Sequence, residues 1–184
     1  RVGLTYSPSS RTVWRSSYGK FAMFSPTSGT GMVVTSVMGD STLNGDDRPE
    51  RSQSFDLGVE RQLSDTLLMR ITPFHISYEN MLQKVTDPIT GAASYVNLGH
   101  GATNGLETYF QKKLANNWEG WLSWTWMGAR AQANMKQDAP GSPTDFVNWD
   151  QRHTIIAAVS FSKGRWAHDI GMQFGSGLYN RSLH

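Results

Sequence analysis

Apolar and polar residues alternate along several stretches of this chain. Between Ser54 and Leu63, Phe55, Leu57 and Val59 hold one parity while Asp56, Gly58, Glu60 and Gln62 hold the other. Successive side chains of a β-strand point to opposite sides, so the pattern predicts a strand with one apolar and one polar face. The same division sets Ile155, Ala157, Val159 and Phe161 together, and sets Trp166, Ile170, Met172 and Phe174 against Asp169, Gly171 and Gln173. Leu122, Trp124 and Trp126 oppose Glu119, Ser123 and Thr125, with Trp121 an exception on the polar side.

Read this way, the chain is all-β, an antiparallel up-and-down meander of about eight strands in four hairpins. The first pair is Arg1–Ser7 with Arg11–Gly19 and the second Ser52–Leu63 with Thr66–Tyr78. The third is Ala102–Leu114 with Trp118–Ala129 and the fourth Gln151–Phe161 with Arg165–Gly175. The hairpins thus cover about 1–19, 52–78, 102–129 and 151–175 of one unit, 1–184, read as a partial β-barrel. The segments run from 7 to 13 residues, each about as long as the roughly 9–11 residues a tilted membrane strand needs. Within a pair the joins are short: Pro8-Ser9-Ser10, Ser64-Asp65, Ala115-Asn116-Asn117 and Ser162-Lys163-Gly164. Between pairs lie Lys20–Arg51, Glu79–Gly101 and Arg130–Asp150, rich in Gly, Pro, Asp, Asn and Ser and read as loops. Short and long connections therefore alternate, as in outer-membrane barrels with short periplasmic turns and long outer loops.

Two local features refine the pattern. Leu67, Met69 and Ile71 alternate outward, but beyond Pro73 the apolar set becomes Phe74, Ile76 and Tyr78, one residue out of step. A bulge at Pro73 is the expected cause, because an extra residue swaps the faces. Lys112 shares a parity with Leu106, Phe110 and Leu114, and its charge is tolerable there if it snorkels at the short-turn rim.

Aromatic residues gather at strand ends: Tyr6, Trp118, Phe161 and Trp166 near short turns, and Tyr18, Phe21, Tyr78, Trp126, Trp149 and Tyr179 near long loops. That placement suggests the two interfacial girdles of a barrel. Mean hydropathy of −0.45 does not oppose a membrane, since a barrel strand needs only alternate apolar residues. The uncharged stretch Phe21–Gly39 is broken by Ser25-Pro26-Thr27-Ser28-Gly29 and predicts no spanning helix.

A formal charge of +2 without a basic run gives no nucleic-acid footprint, and the absence of cysteine excludes disulfides and thiolate metal sites. His75, His100, His153, His168 and His184 are too scattered to share a metal. Asp40, Asn44, Asp46 and Asp47 lack the spacing and closing Glu of a calcium loop. Nucleophile-elbow, Walker and dinucleotide motifs are absent, so no catalytic residue, metal ligand or cofactor is assigned, and no enzyme is expected. Asp56 and Glu60 share a face, where they are expected to meet Arg15, Arg70 and Arg152 across a wet lumen.

Several segments together resemble the C-terminal half of a TonB-dependent receptor barrel. They are Arg1-Val2-Gly3-Leu4-Thr5-Tyr6-Ser7-Pro8, Arg15-Ser16-Ser17-Tyr18-Gly19-Lys20-Phe21, and Pro49-Glu50-Arg51-Ser52 leading into Phe55-Asp56-Leu57-Gly58-Val59-Glu60. Val96-Asn97-Leu98-Gly99, Gly105-Leu106-Glu107 and Asp150-Gln151-Arg152-His153-Thr154 follow in order. The resemblance implies a barrel of about 22 strands around a plug. It also implies uptake of an iron chelate, cobalamin or sugar with energy from TonB. Its partners would be outer-membrane lipid, the rest of the barrel, the plug and, through the missing part, TonB. Plug, TonB-contact segment and further strands are not in this sequence, and Tyr179–His184 lacks a terminal aromatic strand, so a fragment is expected. A self-contained eight-stranded barrel serving as anchor or adhesin would instead pair Arg1–Ser7 with Arg165–Gly175. A soluble β-sandwich would pack the apolar faces on each other. Ligand-contacting residues are not legible beyond an expectation that they lie at loop tips and on the upper lumen wall.

Overall fold

The computed structural model describes residues 1–23, 49–86, 89–91, 93–132, 145–147 and 150–178. Its strands are β1 (Val2–Ser9), β2 (Thr12–Met23), β3 (Glu50–Gln62), β4 (Leu67–Thr86), β5 (Ala93–Ala115), β6 (Trp118–Ala131), β7 (Asp145–Phe146), β8 (His153–Lys163) and β9 (Trp166–Gly175). All pairings among the described residues are antiparallel, in the order β1-β2-β3-β4-β5-β6-β8-β9, with two-residue β7 added beside β6. The eight-strand meander is therefore present as expected. No helix among the described residues is long and apolar enough to cross a membrane.

The short turns lie side by side at one end. Asn116 and Asn117 both have left-handed backbone, φ 54° and 68°, between the paired Ala115 and Trp118. A two-residue turn with φ positive at both centres matches the right-handed twist of its strands, and Asn tolerates that region better than most residues. Gly164, φ 62°, takes the first central position of the turn between Lys163 and Trp166. Neighbouring turns are stitched together: Gln62 N–H donates to Arg11 O, Lys113 N–H to Thr66 O, and Ser162 N–H to Asn117 O.

Two expectations are corrected here. The register runs unbroken through Pro73, which pairs with Leu106, so Pro73 makes no bulge. On the other side of β4 the ladder skips from Asp56–Phe74 to Val59–Ile71 without changing register. Proline has removed a donor without adding a residue. Phe74, Ile76 and Tyr78 consequently stay on the polar side with Asp56, Ser54 and Ser52. The irregularity comes later, at Asn80, where φ is 57° and the register shifts on both sides of Met81. The Asn97 side-chain amide donates to Asn80 O at 2.9 Å across this point.

Second, most of Glu79–Gly101 is strand rather than loop. β4 and β5 continue past Asn80, pairing from Leu82–Asn97 to Thr86–Ala93. Twenty residues of β4 extend about 65 Å at the usual rise, far beyond the length a membrane strand needs. The two other long segments fall mostly outside the described residues, as do Trp149, Tyr179 and the acidic group Asp40 to Asp47.

The interior is small and lies at the long-loop end. Ala129, Ala131 and Val147 are its buried hydrophobic residues among those described, with Met81 against them. By contrast Leu57, Val159 and Ile170 are 41%, 43% and 72% exposed. Apolar faces left open in this way do not build the dry centre of a sandwich. β1 and β9 do not pair with each other, so the sheet is open and the closed eight-stranded barrel is not formed.

Candidate functional site

Cross-strand register assembles a row of side chains over the polar face. Glu60 in β3 sits opposite Arg70 in β4, which sits opposite Tyr109 in β5. Arg15 in β2 and Trp121 in β6 join as diagonal neighbours, a separation that long side chains span. The Glu60 carboxylate accepts from Arg15 at 3.1 Å and from Arg70 Nη2 and Nε at 2.6 and 3.0 Å. The Arg70 guanidinium lies 5.7 Å from the Tyr109 ring centre, and Tyr109 stacks on Trp121 at 6.3 Å. Trp121, the exception in the sequence pattern, is the end of this row. Exposed ion pairs contribute only about 0–1 kcal/mol each, so the row orders the wall more than it stabilises it.

Nearer the long loops the same face opens into a recess of about 620 Å³, lined by residues including Ser54, Asp56, Thr72, Phe74, Tyr78 and Glu107. A glycine shapes it. A Cβ on Gly105 would stand 2.2 Å from the Phe74 ring, so the ring lies flat over the glycine of the neighbouring strand. An aromatic covering a cross-strand glycine restores packing that the missing side chain forfeits. The Ser17 hydroxyl donates to the Asp56 carboxylate. Asp56 and Glu107 therefore give the recess acidic oxygens beside two aromatic rings. That Asp56 shares a face with Glu60, Arg15 and Arg70 was legible as parity, but the recess was not, because the supposed bulge had turned Phe74, Ile76 and Tyr78 to the other side.

The opposite face carries the apolar set and also every described histidine. His75 Nδ1 is 2.7 Å from Asn104 Oδ1, His153 stacks on Trp124 and His168 on Trp166. The described residues hold no group of three His, Asp or Glu able to share a metal. Trp118 and Phe161 meet at 4.6 Å at the short-turn end, and Trp124 Nε1 donates to His153 Nδ1 nearer the other. Lys112 Nζ donates to Ala115 O and Trp118 O at 2.9 and 2.7 Å, so its charge is satisfied by turn carbonyls at the rim, as expected. Phe21 and Tyr78, in contrast, face the polar side and belong to no outer girdle. Arg152 does not reach Asp56 or Glu60 either: it pairs with Asp150 at 2.8 Å by the long-loop end, because the bend before β8 carries it there.

Residues 1–182 match the family described as TonB dependent receptor-like, beta-barrel. The chain belongs to that family. Comparison with curated proteins finds no match. Among solved structures it is similar to the ferric-catecholate import receptor Fiu of E. coli K12, at 15% identity and a TM-score of 0.64, over 93% of this chain and 23% of that one. The FrpB iron transporter of Neisseria meningitidis gives 13% and 0.68 over 93% and 25%, and the alcaligin receptor FauA of Bordetella pertussis 17% and 0.60 over 95% and 28%. The chain thus spans about a quarter of the length of these structures.

Membership of the TonB-dependent receptor barrels places this chain in the bacterial outer membrane and makes it part of a receptor and transport family, not an enzyme class. The apolar face is then the lipid face, the polar face is the lumen wall, and the short turns mark the periplasmic rim.

Proposed function

We propose that this chain is a wall segment of an outer-membrane nutrient receptor, and that the lumen recess of Asp56, Phe74, Tyr78 and Glu107 contributes to its ligand path. The recess carries the reading: it opens on the polar face toward the long loops, where a ligand entering from outside first meets the barrel. In this reading 1–184 acts as one unit, the rest of the barrel and a plug complete the receptor, TonB supplies the energy, and no catalysis takes place. An iron chelate is the favoured nutrient, because Fiu and FrpB are an import receptor and a transporter for iron; cobalamin and sugars are the alternatives.

The test is uptake of labelled ferric chelates, cobalamin and oligosaccharides by cells bearing the full-length receptor. Accumulation of one class, reduced by Gly105→Leu with outer-membrane content unchanged, supports the reading. Uptake insensitive to that substitution removes the recess from the path, and failure of the receptor to fractionate with outer membranes removes the reading altogether.

A further inference from the structure

The lipid face carries a basic cluster, on the opposite side of the sheet from the lumen recess. Phe146 in β7 pairs with Arg130 in β6, and register sets Arg130 on the parity of Leu122, Trp124 and Trp126. The Arg130 guanidinium lies 4.4 Å from the Phe146 ring centre and that of Arg152 lies 4.3 Å from it. Arg152 reaches this face over Gly128, where a Cβ would come within 3.2 Å of its Nη1. With His100, Asn104 and Trp126 these groups line an open recess of about 410 Å³.

Its height is what matters. Trp118 and Trp126 stand at opposite ends of the apolar stretch of β6, about 20 Å apart in height for a strand tilted near 40°. Arg130 lies four residues past Trp126, about 10 Å higher at the same tilt. That is beyond the roughly 25 Å apolar band and at the headgroup level on the side of the long loops. Asp150 pairs with Arg152, and among the described residues no carboxylate pairs with Arg130. Among the described residues, two guanidiniums held by one ring and the single carboxylate of Asp150 leave a net positive recess facing lipid. Arginine's planar fork suits phosphate oxygens, and a basic recess at the interface selects anionic headgroups.

We infer that Arg130, Phe146 and Arg152 form a site on the outer barrel wall for a phosphate-bearing lipid headgroup of the outer leaflet. The site depends on the outer-membrane placement and not on which nutrient crosses the lumen. Phe146 keeps the two cations apart and preorganised, and Trp126 offers a ring for the upper part of an acyl chain.

The test uses full-length receptor, delipidated in detergent, with native mass spectrometry of bound bis-phosphorylated lipid A, fully dephosphorylated lipid A and inorganic phosphate. Bis-phosphorylated lipid A is expected to bind, its dephosphorylated form about tenfold or more weaker, and inorganic phosphate not to compete at matched concentration. Arg130→Gln, which leaves the Asp150–Arg152 pair intact, is expected to weaken lipid binding about fivefold to tenfold, and Arg130→Lys less. Equal retention of the two lipid forms, displacement by free phosphate, or an Arg130→Gln receptor that migrates as folded and binds lipid A unchanged would each overturn the site. Nutrient uptake, measured alongside, reads the lumen proposal separately.

Discussion

Tyr109 and Trp121 stack on the lumen side of neighbouring strands, their ring planes 27° apart. A tryptophan in a strand otherwise dividing lipid-facing indoles from hydroxyls looks misplaced until its partner is known. Trp121 ends a row that starts at Arg15, so one face of five strands is read at a single level. The other indoles of β6, at Trp118, Trp124 and Trp126, alternate to the lipid side.

Quenching by lipids brominated on their acyl chains should separate these indoles. Receptors retaining single tryptophans are expected to show strong quenching at Trp124 and little at Trp121. Equal quenching at both would mean that the faces have been assigned wrongly.

Charge placed on the lipid face should cost far more than charge on the lumen wall. Leu57→Arg lies near the middle of the apolar band and is expected to destabilise the folded receptor by about 2–4 kcal/mol. Ser123→Arg, opposite Tyr109 on the lumen wall, is expected to change it by less than about 1 kcal/mol. Equilibrium unfolding in urea with lipid vesicles compares the two.

Two Arg70 nitrogens converge on one Glu60 oxygen, and the pair is partly shielded, with Glu60 19% exposed. A double-mutant cycle on Glu60→Gln and Arg70→Gln is expected to give a coupling of about 1 kcal/mol, smaller in high salt. Zero coupling at low salt would reduce the row to a geometric coincidence.

Asn80 permits the register shift through its left-handed backbone. Asn80→Gly should be nearly neutral, whereas Asn80→Val should cost about 1–2 kcal/mol, because a β-branched residue is strained at positive φ. Hydrogen exchange of Met81–Thr86 should rise in the valine variant and not in the glycine variant. An equal rise in both would show that the bulge does not depend on this backbone.

Much of the architecture is legible in single segments. Two-residue periodicity in Phe55–Glu60, Ile155–Phe161 and Trp166–Phe174 carries strand type and face together, since a strand has only two sides and a membrane wall demands opposite chemistry on them. Asn116-Asn117 and Gly164 mark turns because few residues accept positive φ. The segments were less legible where local chemistry admits two outcomes. Pro73 can remove a hydrogen bond with or without an added residue, and only the pairing of Asp56 with Phe74 and of Pro73 with Leu106 decides between them. The strand extension beyond Asn80 was hidden because Gly and Asn there read as loop, while the partner strand supplies the missing order.

What the sequence determines by itself is therefore the two-faced ribbon, its hairpins and the end at which its turns lie, all consequences of spacing along one strand. The continuation of the charged row through Tyr109 to Trp121, the recess over Gly105 and the arginine pair around Phe146 were decided by tertiary structure alone. Each joins residues of several strands whose neighbourhood depends on register, and register is a property of paired strands that no single strand contains.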